Sequence, residues 1–493
     1  MRPRTIAAGL ILAGLAAWSA APGPGTAPIA PLSDVPEAVA RDGVLSVTLE
    51  ARETKTVFDG IPVDTIVYNG NFAGPVLRLW PGDTLRVHFR NRLAEPSNLH
   101  FHGMRSSPLA NGDNAHLSIP GGQDFDYELK IPDHQPPGAY WYHAHQHGLA
   151  EHQVGRGLSG SLMIEGFADG IPGLTGVKER LFAFKSIDIE DSDNPVVNDE
   201  WHGLVQTVNG LTTIGETLRP GETALWHLTN HDANLTVHLS LAGHRFTVVG
   251  MDGAAIPHAA EAEILDITPA SRLEVLVTAG PPGSYELVTH NVLTGQGTAL
   301  SRDRVIGKLT VAGAPMAPRQ AVLPSVADLS SAAVTGHRRF VYTASKDQEK
   351  YYINDQRFDA NRVDTRVRLG DVEDWTIENH TDDMHSFHIH QLSFQVMSVN
   401  GKPEPFNGLL DTVRVPEHGQ VTIRLPFTKP EIVGEFMYHC HVLKHEDRGM
   451  MQNIVVEDPK AKRHASLGLT GWLAAWMRPG RADLPICGAG HAG

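Results

Sequence analysis

Apolar and polar positions alternate along most of this chain, and the alternation returns three times to one phrase. WPGDTLRVHFRN ending at Asn91, RPGETALWHLTN ending at Asn230 and RLGDVEDWTIEN ending at Asn379 each set a glycine nine residues before an asparagine. Period two is the side-chain period of a strand, and Gly, Pro and Asn are the residues that turn one strand into the next. The three glycines, Gly82, Gly221 and Gly370, stand 139 and 149 residues apart. That spacing predicts three units of one kind, an all-β chain of three tandem β-sandwiches.

The units differ in where they carry histidine. Nine and eleven residues after the asparagine lie His100 and His102 in the first copy, Leu239 and Leu241 in the second, and His388 and His390 in the third. A second landmark is a turn glycine before a strand: Gly138 in PPGAYWYHAH, Gly283 in PPGSYELVTH and Gly434 in VGEFMYHCH. Five and seven residues later come His143 and His145, then Val288 and His290, then His439 and His441. One H-x-H is unremarkable as two polar residues on an exposed strand face. Four at repeat-equivalent offsets present paired imidazoles, because residues i and i+2 of a strand share a side. Four of the side chains come from each outer unit, so those units are expected to meet and share a metal site, with the middle one as a spacer.

Composition narrows the setting. The 493 residues are 41% hydrophobic and 20% charged, an ordinary globular balance. Arg2 and Arg4 precede an apolar run from Ile6 to Trp18 and small residues ending at Ala21, the form of an export signal. The run is too short to span a bilayer, and no later stretch is long enough, so no stable membrane insertion is expected. Removing the signal leaves 39 basic against 56 acidic residues, a net charge of −17 instead of −15, which argues against nucleic acid as a partner. Cys440 and Cys487 are too few to be a disulfide framework. The expected product is exported, periplasmic or extracellular, and monomeric.

The stretch FMYHCHVLKHEDRGMM at 436–451 places a thiol between two imidazoles, with His445 and Met450 following and His385 available from the neighbouring loop. On a strand Cys440 points away from His439 and His441 and serves a separate metal. Two imidazoles and a thiolate with a weak axial thioether are the ligands of a blue-copper electron-transfer centre. Here the sequence resembles the three-domain multicopper oxidases, through LHFHG, YWYHAH, HSFHIH and HCHVLKHEDRGMM in the family's order. The resemblance, over roughly residues 43–457, implies cupredoxin-like Greek-key domains and four copper ions. It implies a type 1 copper on His385, Cys440, His445 and axial Met450. His100 and His388 would hold the type 2 copper, and His102, His143, His145, His390, His439 and His441 the type 3 pair. His147 and Met451 are left out, the first by the offset from Gly138 and the second as a core side chain.

The implied reaction passes single electrons from a small reductant through Cys440 to a cluster that reduces dioxygen to water. Glu446, in the HED sequence, and Asp113, in NGDNAH, are the candidate proton-relay acids. Only 11 methionines are present, with no cluster beyond Met450 and Met451. Thioethers suit cuprous ion, so a laccase-like oxidation of phenols or aromatic amines is expected, with a cuprous or manganous ion oxidase as the alternative. A copper nitrite reductase lacks the type 3 pair, and a non-catalytic relative would have lost ligands. The expected spans are an export signal over 1–21, a linker over 22–42, domains over 43–167, 168–313 and 337–457 with a linker at 314–336 before the last, and a tail over 458–493. The segments 291–319 and 406–415 are the expected walls of the donor pocket.

Overall fold

A computed structural model describes residues 30–31, 35–188, 204–290 and 303–460. The export signal, the tail beyond 460 with Cys487, and residues 291–302 of the expected donor wall lie outside them. Among the described residues, strands assemble six sheets, with helices at Ala150–Gly155 and Leu443–Asp447 and a 3-10 turn at Pro430–Ile432. The chain is all-β, with three Greek-key sandwiches in tandem.

The repeated phrase has one structural meaning in all three places. Thr84–Asn91, Thr223–Asn230 and Val372–Asn379 each run parallel to an earlier strand, Val44–Phe58, Lys178–Asp188 and Gly336–Ala344 in turn. Each also runs antiparallel to a later one, Asp124–Lys130, Arg272–Thr278 and Gln420–Pro426. The terminal asparagine closes the loop that follows. Asn91 donates its amide to the carbonyls of Glu95 and Ile119, Asn230 to those of Leu235 and Ile267, and Asn379 to those of Asp383 and Pro416. Each side-chain oxygen also accepts the amide two residues on, the local bond for which Asn is selected at turns.

The histidine pairs sit in the other sheet of each outer unit. His100–His102 lies antiparallel to Gly138–His143 with His100 opposite His143. His385–Ile389 lies antiparallel to Gly434–Cys440 with His388 opposite His439. The segment expected as an N-terminal linker contributes strands as well: Glu37–Val39 pairs with Val76–Leu79 of the first unit, and Ala30–Pro31 with Ile214–Leu218 of the middle one.

The units are tightly joined. Gly138 (φ +149°) faces Gly253 of the middle unit so closely that a methyl group at 138 would come within 2.7 Å of the Gly253 carbonyl oxygen. Buried Lys185, of the middle unit, donates to the carbonyls of Phe72 and Ser159 at 2.5 and 2.8 Å. Asp447 of the third unit accepts the amides of Gly148, Ala150 and Glu151, holding the start of the short helix of the first.

Candidate metal centres

The two outer units bring their histidines to one place. His385, Cys440 and His445 form one group whose ligand atoms lie within 4.8 Å of one another. Three further groups satisfy the same limit: His100, His102 and His388; His102, His143 and His441; and His145, His390 and His439. Each of these three mixes histidines from the first and third units. His145, His390 and His441 stand just past the ends of their strands. His147 joins no group; it is exposed and packs edge-on against Phe358 at 4.5 Å.

In the cysteine group, His385 Nδ1 is 3.4 Å and His445 Nδ1 3.6 Å from Cys440 Sγ, and the two nitrogens are 3.0 Å apart. Thr381 engages the far nitrogen of His385 at 2.8 Å. His445 is on the short helix after the strand, stacked under Tyr351 at 4.1 Å. Met450 is fully buried in the same core as Cys440, and its carbonyl accepts the Cys440 amide at 3.1 Å. Met451 packs elsewhere, with Met437 and Ala115. Burial pushes the Cys440 thiol up to about 12, so holding it as the thiolate requires a cation beside it.

The remaining groups fit metal ions by their hydrogen bonding. Several outer ring nitrogens are engaged: His100 Nδ1 by Asp113 at 3.0 Å, His143 Nδ1 by the Ala144 carbonyl at 2.9 Å, His388 Nδ1 by the Asp411 carbonyl at 2.8 Å and His439 Nδ1 by the Cys440 carbonyl at 3.1 Å, whereas the Nδ1 atoms of His145 and His390 and both nitrogens of His441 have no partner among the described residues. The opposite nitrogens of His100, His143 and His388 are buried without any partner among the described residues. His439 Nε2, left as a bare lone pair, faces the Nε2 atoms of both His145 and His390 at 3.2 Å. At most one of those can donate to it. Two nitrogens sharing one ion at about 2.0 Å lie about 3.3 Å apart when tetrahedral, and an outer partner on each ring is the usual support of a metal-bound histidine. Burial, reinforced by neighbouring histidines, holds His102, His143, His388, His390 and His441 far below the ordinary imidazole range, keeping them in the neutral, ligating form.

Three family models, each described as multicopper oxidase, match residues 50–169, 177–305 and 331–460. The chain belongs to the multicopper oxidase family. It is similar to the multicopper oxidase mco of Staphylococcus haemolyticus, 26% identical over 84% of this chain and 89% of that protein. Among solved structures it resembles a multicopper oxidase of Campylobacter jejuni described as a metallo-oxidase, with 26% identity, 87% and 96% coverage and a TM-score of 0.73. It also resembles the laccase-like multi-copper oxidase CueO of Ochrobactrum sp., described with oxidase activity towards lignin model compounds, with 26% identity, 86% and 100% coverage and a TM-score of 0.72.

Both acids singled out in the sequence of this multicopper oxidase reach the histidines. Glu446 is fully buried, its Oε2 2.9 Å from His439 Nδ1 and its Oε1 3.8 Å from His145 Nε2. The His439 N–H is aimed at the Cys440 carbonyl, so neither oxygen of Glu446 receives a hydrogen bond. Burial raises the Glu446 carboxyl, and nearby His145 and His100 oppose the rise. Asp113 holds His100 and the Phe101 amide through Oδ1 and accepts Gln391 through Oδ2 at 3.1 Å. Sequence reasoning missed Asp411, which lies in the loop taken as a donor wall: its Oδ1 is 3.0 Å from His102 Nε2. It also missed Arg272 of the middle unit, which grips Asp411 through two nitrogens. The expectation that the middle unit is only a spacer is therefore corrected, because its arginine lies one residue from two of the clustered histidines.

Proposed function

We propose that this oxidase takes single electrons from a small reducing substrate and reduces dioxygen to water with four copper ions. His385, Cys440, His445 and Met450 would hold the type 1 copper, and His100 and His388 the type 2 copper. His102, His143 and His441 would hold one type 3 copper, and His145, His390 and His439 the other. The observation that carries this reading is the position of Cys440: its chain neighbours His439 and His441 belong to two different histidine groups, while its sulfur belongs to a third. One peptide on either side thus joins the electron-accepting site to both ions of the pair.

Bound copper supplies reversible one-electron chemistry. The chain's own residues do the rest. His445 is the entry point: it is 6% exposed, whereas the other histidines of the four groups and Cys440 are at most 1% exposed. Glu446 holds a proton beside His439 and His145, and Asp113 fixes His100. The clustered histidines are buried, which shields the site from bulk water. The domains are taken as 43–167, 168–313 and 337–457, and the protein works as an exported monomer.

The donor is proposed to be a phenol or aromatic amine, as for a laccase, because no methionine-rich segment offers thioethers to cuprous ion. The likeness to a metallo-oxidase supports cuprous or manganous ion as the second reading. Oxygen uptake by the copper-loaded protein, with a methoxyphenol and with cuprous ion at matched concentrations, separates them. Faster uptake with the phenol is expected. Faster uptake with cuprous ion would reject the laccase reading.

A further inference from the structure

Arg272 opens the strand Arg272–Thr278 of the middle unit and is completely buried. Its guanidinium meets the Asp411 carboxylate as a fork, Nη1 to Oδ1 at 2.7 Å and Nη2 to Oδ2 at 2.6 Å. Nη1 also donates to the Ala270 carbonyl, and Nε to the Ala139 carbonyl on the strand that ends in His143. Asp252 completes the clamp from the same unit. One of its oxygens accepts the Arg272 amide at 3.0 Å, and the other accepts the amides of Asp411 and Thr412 at 3.1 and 3.2 Å. Asp411 is thus held by its side chain and its backbone at once.

What remains of Asp411 is turned to the histidines. Its Oδ1 lies 3.0 Å from His102 Nε2, leaving His102 Nδ1 buried and without a partner on the cluster side. Its main-chain carbonyl accepts His388 Nδ1 at 2.8 Å, leaving His388 Nε2 in the same condition. One residue therefore holds two imidazoles from different domains, with the Thr412 hydroxyl 3.3 and 3.4 Å from the same two nitrogens. The first unit is shaped to admit the fork: a methyl group at Gly103 (φ +82°), next to His102, would fall 2.6 Å from Arg272 Nη2 and 2.8 Å from Asp411 Oδ2. A buried ion pair alone is weak evidence of function, but beyond Arg272 this carboxylate meets His102 and the Thr412 hydroxyl, which itself lies against the same histidines.

We propose that Arg272 is a positioning residue for the three-copper site: from the middle domain it fixes Asp411, and through Asp411 the orientation of His102 and His388. The proposal rests on the reading that these two histidines hold copper. Lysine at 272 keeps the charge but lacks the planar fork, so Asp411 loses one of its two bonds and both rings lose their common reference. Disturbing an outer partner of a metal-bound histidine typically changes metal affinity about 10- to 100-fold.

The test uses the copper-loaded full chain and three variants: Arg272→Lys, Asp252→Asn, and Lys185→Met as a control. Lys185 is another buried cation joining the middle and first units, but its hydrogen bonds go to backbone carbonyls, with the Phe72 ring 5.2 Å away. Type 2 copper is read by electron paramagnetic resonance and by its release to a chelator, and type 1 copper by its blue absorption. Arg272→Lys is expected to shift the type 2 hyperfine splitting and speed that copper's release about 10- to 100-fold, with the blue absorption unchanged. Asp252→Asn should act in the same direction and carries the test if Arg272→Lys does not fold. Lys185→Met should lower thermal stability without moving either type 2 reading. Wild-type type 2 behaviour in the Arg272 and Asp252 variants, or an equal change in Lys185→Met, would overturn the proposal. Absence of a type 2 signal from the wild type would overturn the copper assignment and the proposal together.

Discussion

His227 offers a test of how the middle and first domains are held together. It lies buried in the middle domain between two carboxylates, with Nδ1 on Glu274 and Nε2 2.9 Å from Glu179. The other oxygen of Glu274 accepts the amide of Ala139 at 2.7 Å, on the strand that carries His143. Burial by itself would lower the His227 pKa, but Glu274 and Glu179 overcome it and raise it to about 10. Because the folded value is raised, the stabilisation is fully present below the unfolded value near 6.5 and is lost as pH rises towards 10. The full shift corresponds to at most about 5 kcal/mol. Glu179 is 45% exposed, and screening of that partner brings the expected contribution to about 2–3 kcal/mol. His227→Gln keeps a donor towards Glu274 but removes the titrating charge. With about 2–4 °C per kcal/mol in a domain of this size, the variant should melt about 5–10 °C below the wild type at pH 6.5. Most of that gap should close by pH 9.5. Melting curves of both proteins, copper-loaded, at half-unit steps of pH decide it, and a gap that stays constant from 6.5 to 9.5 would refute the reasoning.

Other perturbations bear on the reaction. Glu446→Gln removes a proton-holding group beside His439 and His145, so reoxidation of the reduced enzyme should slow about 100-fold while the blue absorption persists; unchanged turnover in stopped-flow would take Glu446 out of the relay. Cys440→Ser should abolish the blue absorption and one equivalent of copper, leave the histidine-held copper in place, and stop oxygen uptake with every donor. Asp447→Ala removes the acceptor of three amides at the junction of the first and third domains and should lower stability by about 1–2 kcal/mol, read as the denaturation midpoint.

The repeat was legible because its cause is local. Asn91, Asn230 and Asn379 each make the same bonds to nearby loop backbone, so the same residue recurs at the same offset. The histidine groups were legible for a similar reason: strand periodicity forces paired imidazoles to one side, and Cys440 to the other. Asp411 and Arg272 were not legible, because nothing local dictates them. Arg272 reads in the sequence as the start of a strand, and its partner lies 139 residues away, a contact set by the packing of three domains. The division of His102, His143, His145, His390, His439 and His441 between two groups was also beyond the sequence, since it depends on how the outer domains face each other. The acid roles of Glu446 and Asp113 came from resemblance and stand as proposals; the structure places Glu446 beside His439 and Asp113 against His100.

In the proposed reaction, electrons entering at the cysteine site leave only as water. It is tested most directly by the stoichiometry of the copper-loaded enzyme with a one-electron donor, counting donor oxidised, dioxygen consumed and hydrogen peroxide released in the same vessel. Four donors oxidised per dioxygen, no peroxide, and no uptake by Cys440→Ser are expected. Two donors per dioxygen with an equivalent of peroxide, or uptake that survives in Cys440→Ser, would contradict it.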